Sequence, residues 1–249
     1  MRTVSATRYV TPLREGGSLP ALVEADDDGL YVVKLRGAGQ GPKALVAELI
    51  AGELARALDL PIPELVFVEL DAHLPDAEPD PEIQELLQAS AGLNVGLDFL
   101  PRALPYNPAA DTVELDPRLA ADIVWFDAYV ENVDRTPRNP NLLTWHGRLW
   151  LIDHGAALYK QHGGLDPANA NGSFAAIREH VLLPAAASIA EADARLAPRV
   201  DDALLASLLD NVPTEWLGDA PASRYVDYLS ARLQAPRAFA EEAERARVA

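Results

Sequence analysis

The densest run of chemistry-bearing side chains is Asn132-Val133-Asp134-Arg135-Thr136-Pro137-Arg138-Asn139-Pro140-Asn141, followed by Leu151-Ile152-Asp153-His154-Gly155. Two carboxylates and several carboxamides gather around a polar loop and a short hairpin. Phosphoryl transfer asks for this inventory: one Asp turned toward an acceptor hydroxyl, and an Asn with a second Asp offering hard oxygen ligands to Mg²⁺. It also asks for a cation to meet the phosphates. Lys34 stands at the end of the apolar segment Tyr31-Val32-Val33-Lys34-Leu35. Its distance in sequence from Glu48 permits an ion pair that would fix the ammonium near the phosphates. Glu53, on the same predicted helix, is the rival for that pairing.

The elements that must carry these residues can be read from periodicity. Ala21–Val23 and Leu30–Leu35 flank the turn signal Asp26-Asp27-Asp28-Gly29, which suggests an antiparallel pair. From Lys43 to Asp59 apolar residues recur at helical spacing until Pro61 ends the run, and Leu65–Leu70 then reads as a half-buried strand. This order of two strands, a helix and a strand suits a small mixed lobe rather than a parallel doubly wound sheet. A short helix is expected at Pro81–Ser90, a strand at Leu93–Leu100, and a linker from Pro101 to Pro108. Asp116-Pro117 opens a helix with an N-cap Asp and a first-turn Pro. That helix runs into the polar loop, and Leu142–Trp145 and Leu149–Ile152 form the hairpin that returns Asp153 beside it. Helices are expected near Phe174–Leu183, Ala185–Leu196, Asp202–Asn211 and Ala222–Val248, the last broken at Pro236.

Composition removes several classes of chemistry. The chain has 249 residues and no Cys, so disulfides, thiolate metal sites and Cys nucleophiles are excluded. The five His residues show no zinc-binding spacing. A net charge of −17 argues against broad binding to nucleic acid, which draws its affinity from Lys and Arg on phosphates. No stretch approaches the roughly 20 apolar residues of a membrane helix, so a cytoplasmic protein without membrane contact is expected. The cluster Gly37-Ala38-Gly39-Gln40-Gly41 fits neither a dinucleotide-binding loop nor a Walker A loop. It is either a connection into the first helix or a phosphate contact through backbone amides.

Asp134-Arg135-x-x-x-Asn139 with Asp153-x-Gly155 resembles the catalytic and metal-binding loops of the HipA-like kinases, and through them the D-R-H-x-x-N loop of the phosphatidylinositol kinases. Ala47–Pro63 likewise resembles the family's first helix and its exit, so the likeness spans roughly residues 8 to 160. It implies an α+β, two-lobed, protein-kinase-like fold, with a strand-rich N-lobe over residues 1–104 and a mainly helical C-lobe over 105–249. It implies Lys34 as the ATP-phosphate lysine with Glu48 as its partner. Asp134 becomes the catalytic base or acceptor-positioning group, and Asn139 and Asp153 become the Mg²⁺ ligands. Gly16, Gly17 and Ser18 stand where a nucleotide lid belongs. The implied activity is transfer of the γ-phosphate of ATP to a hydroxyl, Ser or Thr on a protein or else a small molecule. Two other readings stay open: a nucleotide-binding pseudokinase acting as an interaction module, and a non-kinase protein in which Asp134 and Asp153 hold a metal for another purpose. Thr136 stands where the phosphatidylinositol kinases show His, and His154 where protein kinases show Phe.

Overall fold

The computed structural model describes residues 1–13, 19–39, 41–74, 78–110 and 114–249. The first strands are β1 (Thr3–Pro12), β2 (Ala21–Ala25) and β3 (Leu30–Lys34), followed by helix α1 (Pro42–Ala57). Then come β4 (Leu65–Leu70), α2 (Pro81–Ala89) and β5 (Gly92–Asp98). The five strands close into a barrel in the order β1-β2-β3-β5-β4, and the parallel pairing of β1 with β4 completes it. Closure gives each of these strands two neighbours and so protects its edges. β1 was not foreseen as an element in its own right: most of its residues are exposed, so its apolar periodicity is weak.

Side chains alternate across the barrel wall. Val23, Tyr31, Val33, Val66 and Val68 fill its interior. Gly96 pairs with Val33 on β3, and a Cβ at that position would lie 2.5 Å from Val68 Cγ2. Glycine is therefore required by close approach rather than by backbone conformation. The opposite face of the β4-β5 wall, with Phe67, Val95 and Leu97, joins a second and larger core. Lys34, one residue beyond Val33, sits opposite Val95 in the ladder and shares that outer face.

Helix α1 is buried on nearly every side from Leu45 to Gly52. A helix apolar around its circumference must be packed between other layers, and α1 lies between the barrel and the helices α5 (Asp202–Leu209) and α6 (Thr214–Leu217). Before α1 the chain turns over residues 36–39. The amides of Ala38 and Gly41 bond to Leu35 O and Ala38 O, and Gly37 N–H donates to Ser90 Oγ. Those amides are already used, which favours a structural connection over a phosphate contact.

The linker expected at Pro101–Pro108 contains a short strand, β6 (Leu104–Pro105). It pairs with the hairpin β7 (Leu142–Trp145) and β8 (Arg148–Leu151) in a three-stranded sheet. Helix α3 (Pro117–Tyr129) starts as expected, with the Asp116 side chain accepting Arg118 N–H and Pro117 in the first turn. The expected helix Phe174–Leu183 is instead a pair of 3₁₀ turns at Ala175–Glu179 and Leu183–Ala185. Helices α4 (Ile189–Leu196), α7 (Ala222–Arg232) and α8 (Ala238–Val248) complete the chain, the last two separated around Pro236. Among the described residues no helix is long and apolar enough to cross a membrane.

Candidate active site

The loop after α3 is built around a fully buried ion pair. Arg135 Nε donates to Asp127 Oδ2 at 2.5 Å, and both side chains are 0% exposed. Burial alone would raise the Asp127 carboxyl, but the Arg135 guanidinium and His180 outweigh it and hold the group well below the usual carboxylate range. His180 Nδ1 accepts Leu182 N–H at 3.1 Å, so the ring proton sits on Nε2, 2.9 Å from Asp127 Oδ2. Burial pushes the His180 imidazole down and keeps it neutral. Asn132 Nδ2 adds a third donor to Asp127, at 3.0 Å.

The other end of Arg135 joins the loop to the hairpin. Its Nη1 donates to Asn141 O at 2.5 Å and to Ile152 O at 3.3 Å, while Ile152 N–H donates to Asn141 O. One guanidinium thus ties the residue beside Asp134 to the residue before Asp153. Within the loop, Thr136 and Asn139 exchange main-chain hydrogen bonds. This brings Asn139 Nδ2 to 2.7 Å from Asp134 Oδ2, with Asn141 Nδ2 at 3.3 Å from the same oxygen.

Asp153 sits where β8 ends, with φ 55°, in the left-handed region that costs a non-glycine residue about 1 to 3 kcal/mol. The surroundings hold it there. Lys34 Nζ is 2.5 Å from Asp153 Oδ2. On the next residue, His154 N–H donates to Glu48 Oε2 at 2.8 Å. Burial works to raise the Asp153 carboxyl, but the adjacent ammonium prevails and lowers it, so it stays ionised. Leu151 N–H donates to Pro61 O, fastening β8 to the exit of α1.

The pairing of Lys34 with Glu48 expected from sequence spacing is therefore corrected. Lys34 pairs with Asp153, and Glu48 is used by the backbone of His154, with His154 Nδ1 3.6 Å away. Both Glu48 and His154 are almost wholly buried, at 1% and 0% exposed. Spacing along the chain cannot tell which of two nearby partners an ammonium meets. The rival Glu53 is spent on Arg56. Gly16, Gly17 and Ser18 lie outside the described residues.

The fold brings Lys34 and Glu48 to Asp153-His154, and Arg135 links that point to Asp134 and Asn139. Among the described residues no three His, Asp or Glu side chains gather as a ready-made metal cage.

A model of the HipA-like kinase family matches residues 7–236. The chain belongs to the HipA-like kinases. The solved structure of the Helicobacter pylori proinflammatory kinase CtkA aligns with a TM-score of 0.62 at 14% identity, over 99% of this chain and 98% of that one. The Golgi casein kinase with Mn and ADP bound aligns at 0.53 with 13% identity, over 97% of this chain and 74% of that one. A further crystal structure of the Golgi casein kinase aligns equally well. At these identities the likeness shows the fold alone. No curated protein matches the chain in sequence. The kinase family and its mixed helix-and-strand fold are thus established.

For this HipA-like kinase, sequence reasoning missed the supports of the site. Arg135 belongs to the quoted motif, yet its role as the clamp between loop and hairpin needs the folded hairpin. Asp127, on the helix before the loop, is the buried acceptor that Arg135, His180 and Asn132 share. His180 carried no signal, because it reaches Asp127 from 53 positions away.

Proposed function

We propose that the chain is a two-lobed, ATP- and Mg²⁺-dependent phosphotransferase, with an N-lobe over residues 1–104 and a C-lobe over 105–249, acting on a Ser or Thr hydroxyl of a protein. The observation that carries this reading is the approach of Lys34 Nζ to Asp153 Oδ2, from distant parts of the chain, with Arg135 tying the Asp134–Asn139 loop to the residue before Asp153. A phosphate-binding cation, a metal-type carboxylate and an acceptor-facing carboxylate are together what such chemistry requires.

Asp153 and Asn139 fit a divalent cation. Both offer hard oxygens, Asp153 is kept ionised, and its side chain is 34% exposed. They would hold the metal, whose contribution is to neutralise charge on the phosphate oxygens. The Golgi casein kinase with Mn and ADP bound supports the use of nucleotide and metal.

Lys34 orients the triphosphate, and the 2.5 Å separation of its Nζ from the Asp153 carboxylate supports a shared centre for the two. Glu48 supports that centre through the backbone of His154 and does not compete for Lys34. At Asp134 both side-chain hydrogen bonds from Asn139 and Asn141 fall on Oδ2. Oδ1 is left to accept a hydrogen bond from the acceptor hydroxyl and take its proton. Catalysis is then mostly positioning and charge stabilisation.

The test is transfer of radiolabelled γ-phosphate by the purified protein with Mg²⁺, beside Asp153→Ala. Metal-dependent transfer lost in the variant supports the reading. Nucleotide binding without transfer to any offered hydroxyl would instead support an interaction module, and no nucleotide binding would overturn both.

A further inference from the structure

A second tether joins α1 to the segment that follows Asp153, and no step so far has used it. Gln161 is 3% exposed and lies in the 3₁₀ turn Tyr159–His162. Its Nε2 donates to Lys43 O at 3.0 Å, in the first turn of α1. In return, Lys43 Nζ donates to Gln161 O at 3.0 Å. Tyr225 Oη, on α7, donates to Gln161 Oε1 at 3.1 Å. Every polar group of the Gln161 side chain therefore serves to hold this turn against two helices from distant parts of the chain.

Glu48 and Lys43 are five residues apart on α1, about 7.5 Å along its axis. Between His154, held by Glu48, and Gln161, held by Lys43, the chain is thus stapled to one rigid helix at both ends. Leu158, midway, has φ 51° and donates its N–H to Val130 O, at the end of α3. A strained stretch fixed at its two ends and its middle has little freedom.

We propose that Gln161 is a positioning residue for phosphoryl transfer: by clasping the first turn of α1 and Tyr225 of α7, it fixes the stretch 154–161 so that Asp153 is presented to the metal. This rests on the functional reading above. It assigns the clasp a role in metal-nucleotide binding and turnover, beyond a contribution to folding. A buried amide that satisfies two partners at once is also specific: Leu has the size but neither bond, and Glu keeps the acceptor for Tyr225 while losing the donor to Lys43.

The experiment uses the full chain and three readouts: hydrogen exchange without ligand, the Mg²⁺ concentration giving half-maximal ATP binding, and kcat. In Gln161→Leu, faster exchange is expected in both the first turn of α1 and residues 156–163. The Mg²⁺ requirement should rise about threefold or more, and kcat should fall about tenfold, with Gln161→Glu intermediate. A folded Gln161→Leu with wild-type Mg²⁺ requirement and kcat overturns the proposal, as does loosening confined to 156–163. Should Gln161→Leu not fold, Tyr225→Phe and Lys43→Met each remove one bond of the clasp. The same shifts, smaller in size, are then expected, and wild-type values in both overturn it. A wild-type protein that binds no Mg²⁺-ATP overturns the functional reading instead, and the exchange arm still decides whether the clasp couples the two segments.

Discussion

Glu48 Oε2 accepts the main-chain N–H of His154 at 2.8 Å, across 106 positions of sequence, while Lys34 pairs with Asp153. The buried carboxylate of α1 thus supports the loop that carries Asp153 through its backbone. Either oxygen type, carboxylate or carboxamide, can accept that N–H. Glu48→Gln is therefore expected to keep most activity, whereas Glu48→Ala should lose about tenfold to a hundredfold in kcat/KM, the equivalent of a charge-assisted hydrogen bond of roughly 1.5 to 3 kcal/mol. If the two variants are equally impaired, the negative charge matters and a pairing with Lys34 forms during turnover.

Asp134 is held by Asn139 and Asn141 on one oxygen only. Asp134→Ala should lower kcat by about a hundredfold or more and leave ATP affinity near wild type, since the proposed reading gives the phosphates to Lys34 and the metal. Titration calorimetry with ATP beside steady-state kinetics separates the two. A variant with full turnover would remove Asp134 from its assigned role.

The pair Arg135–Asp127 is inaccessible to water, and each member is bonded at several points. Removing one partner leaves the other buried and uncompensated, at a cost of about 3 to 5 kcal/mol. Arg135→Ala is expected to lower the unfolding free energy, measured by denaturant titration, by that amount and to lose nucleotide binding as a consequence. A loss under about 1 kcal/mol would mean that water enters the site and that the loop is not held by this pair.

His180 is buried neutral, and its folded pKa lies below the ordinary value of 6.5. Unfolding therefore takes up a proton as pH falls below about 6.5, so this group lowers stability as pH drops from there toward the folded value. Above about pH 7 both states are neutral and it contributes no slope. Asp127, with its folded pKa depressed, contributes stability that is present above about pH 4 and lost below it. Urea denaturation between pH 7 and pH 5 should show a decline of up to about 1.4 kcal/mol per pH unit per His. His180→Asn should have lower stability at pH 7 but a shallower decline. An unchanged slope in the variant would assign the effect to other groups.

The candidate chemistry of this chain is legible in short-range order. Asp134, Asn139, Asp153 and the Lys34 strand announce themselves because hard-ligand and carboxylate residue types occur at close, loop-compatible spacing in an otherwise ordinary pattern. The start of α3 was equally plain, because an N-cap Asp and a first-turn Pro act within one turn of backbone. Local physics decides such features, and sequence carries it directly. What no local rule could supply is which groups meet across the fold. That Lys34 reaches Asp153 and not Glu48, that Glu48 serves a backbone amide, and that Arg135, Asp127 and His180 close a buried triad are all set by how the barrel, α1 and the hairpin pack. The 3₁₀ turns at Ala175–Glu179 and Leu183–Ala185 show the same division. Their apolar spacing suits a helix, but His180 is drawn inward to Asp127 and Val181 N–H to Arg135 O, and those long-range bonds interrupt the helical register. Residue types set what could react, and packing alone set which of them stand together.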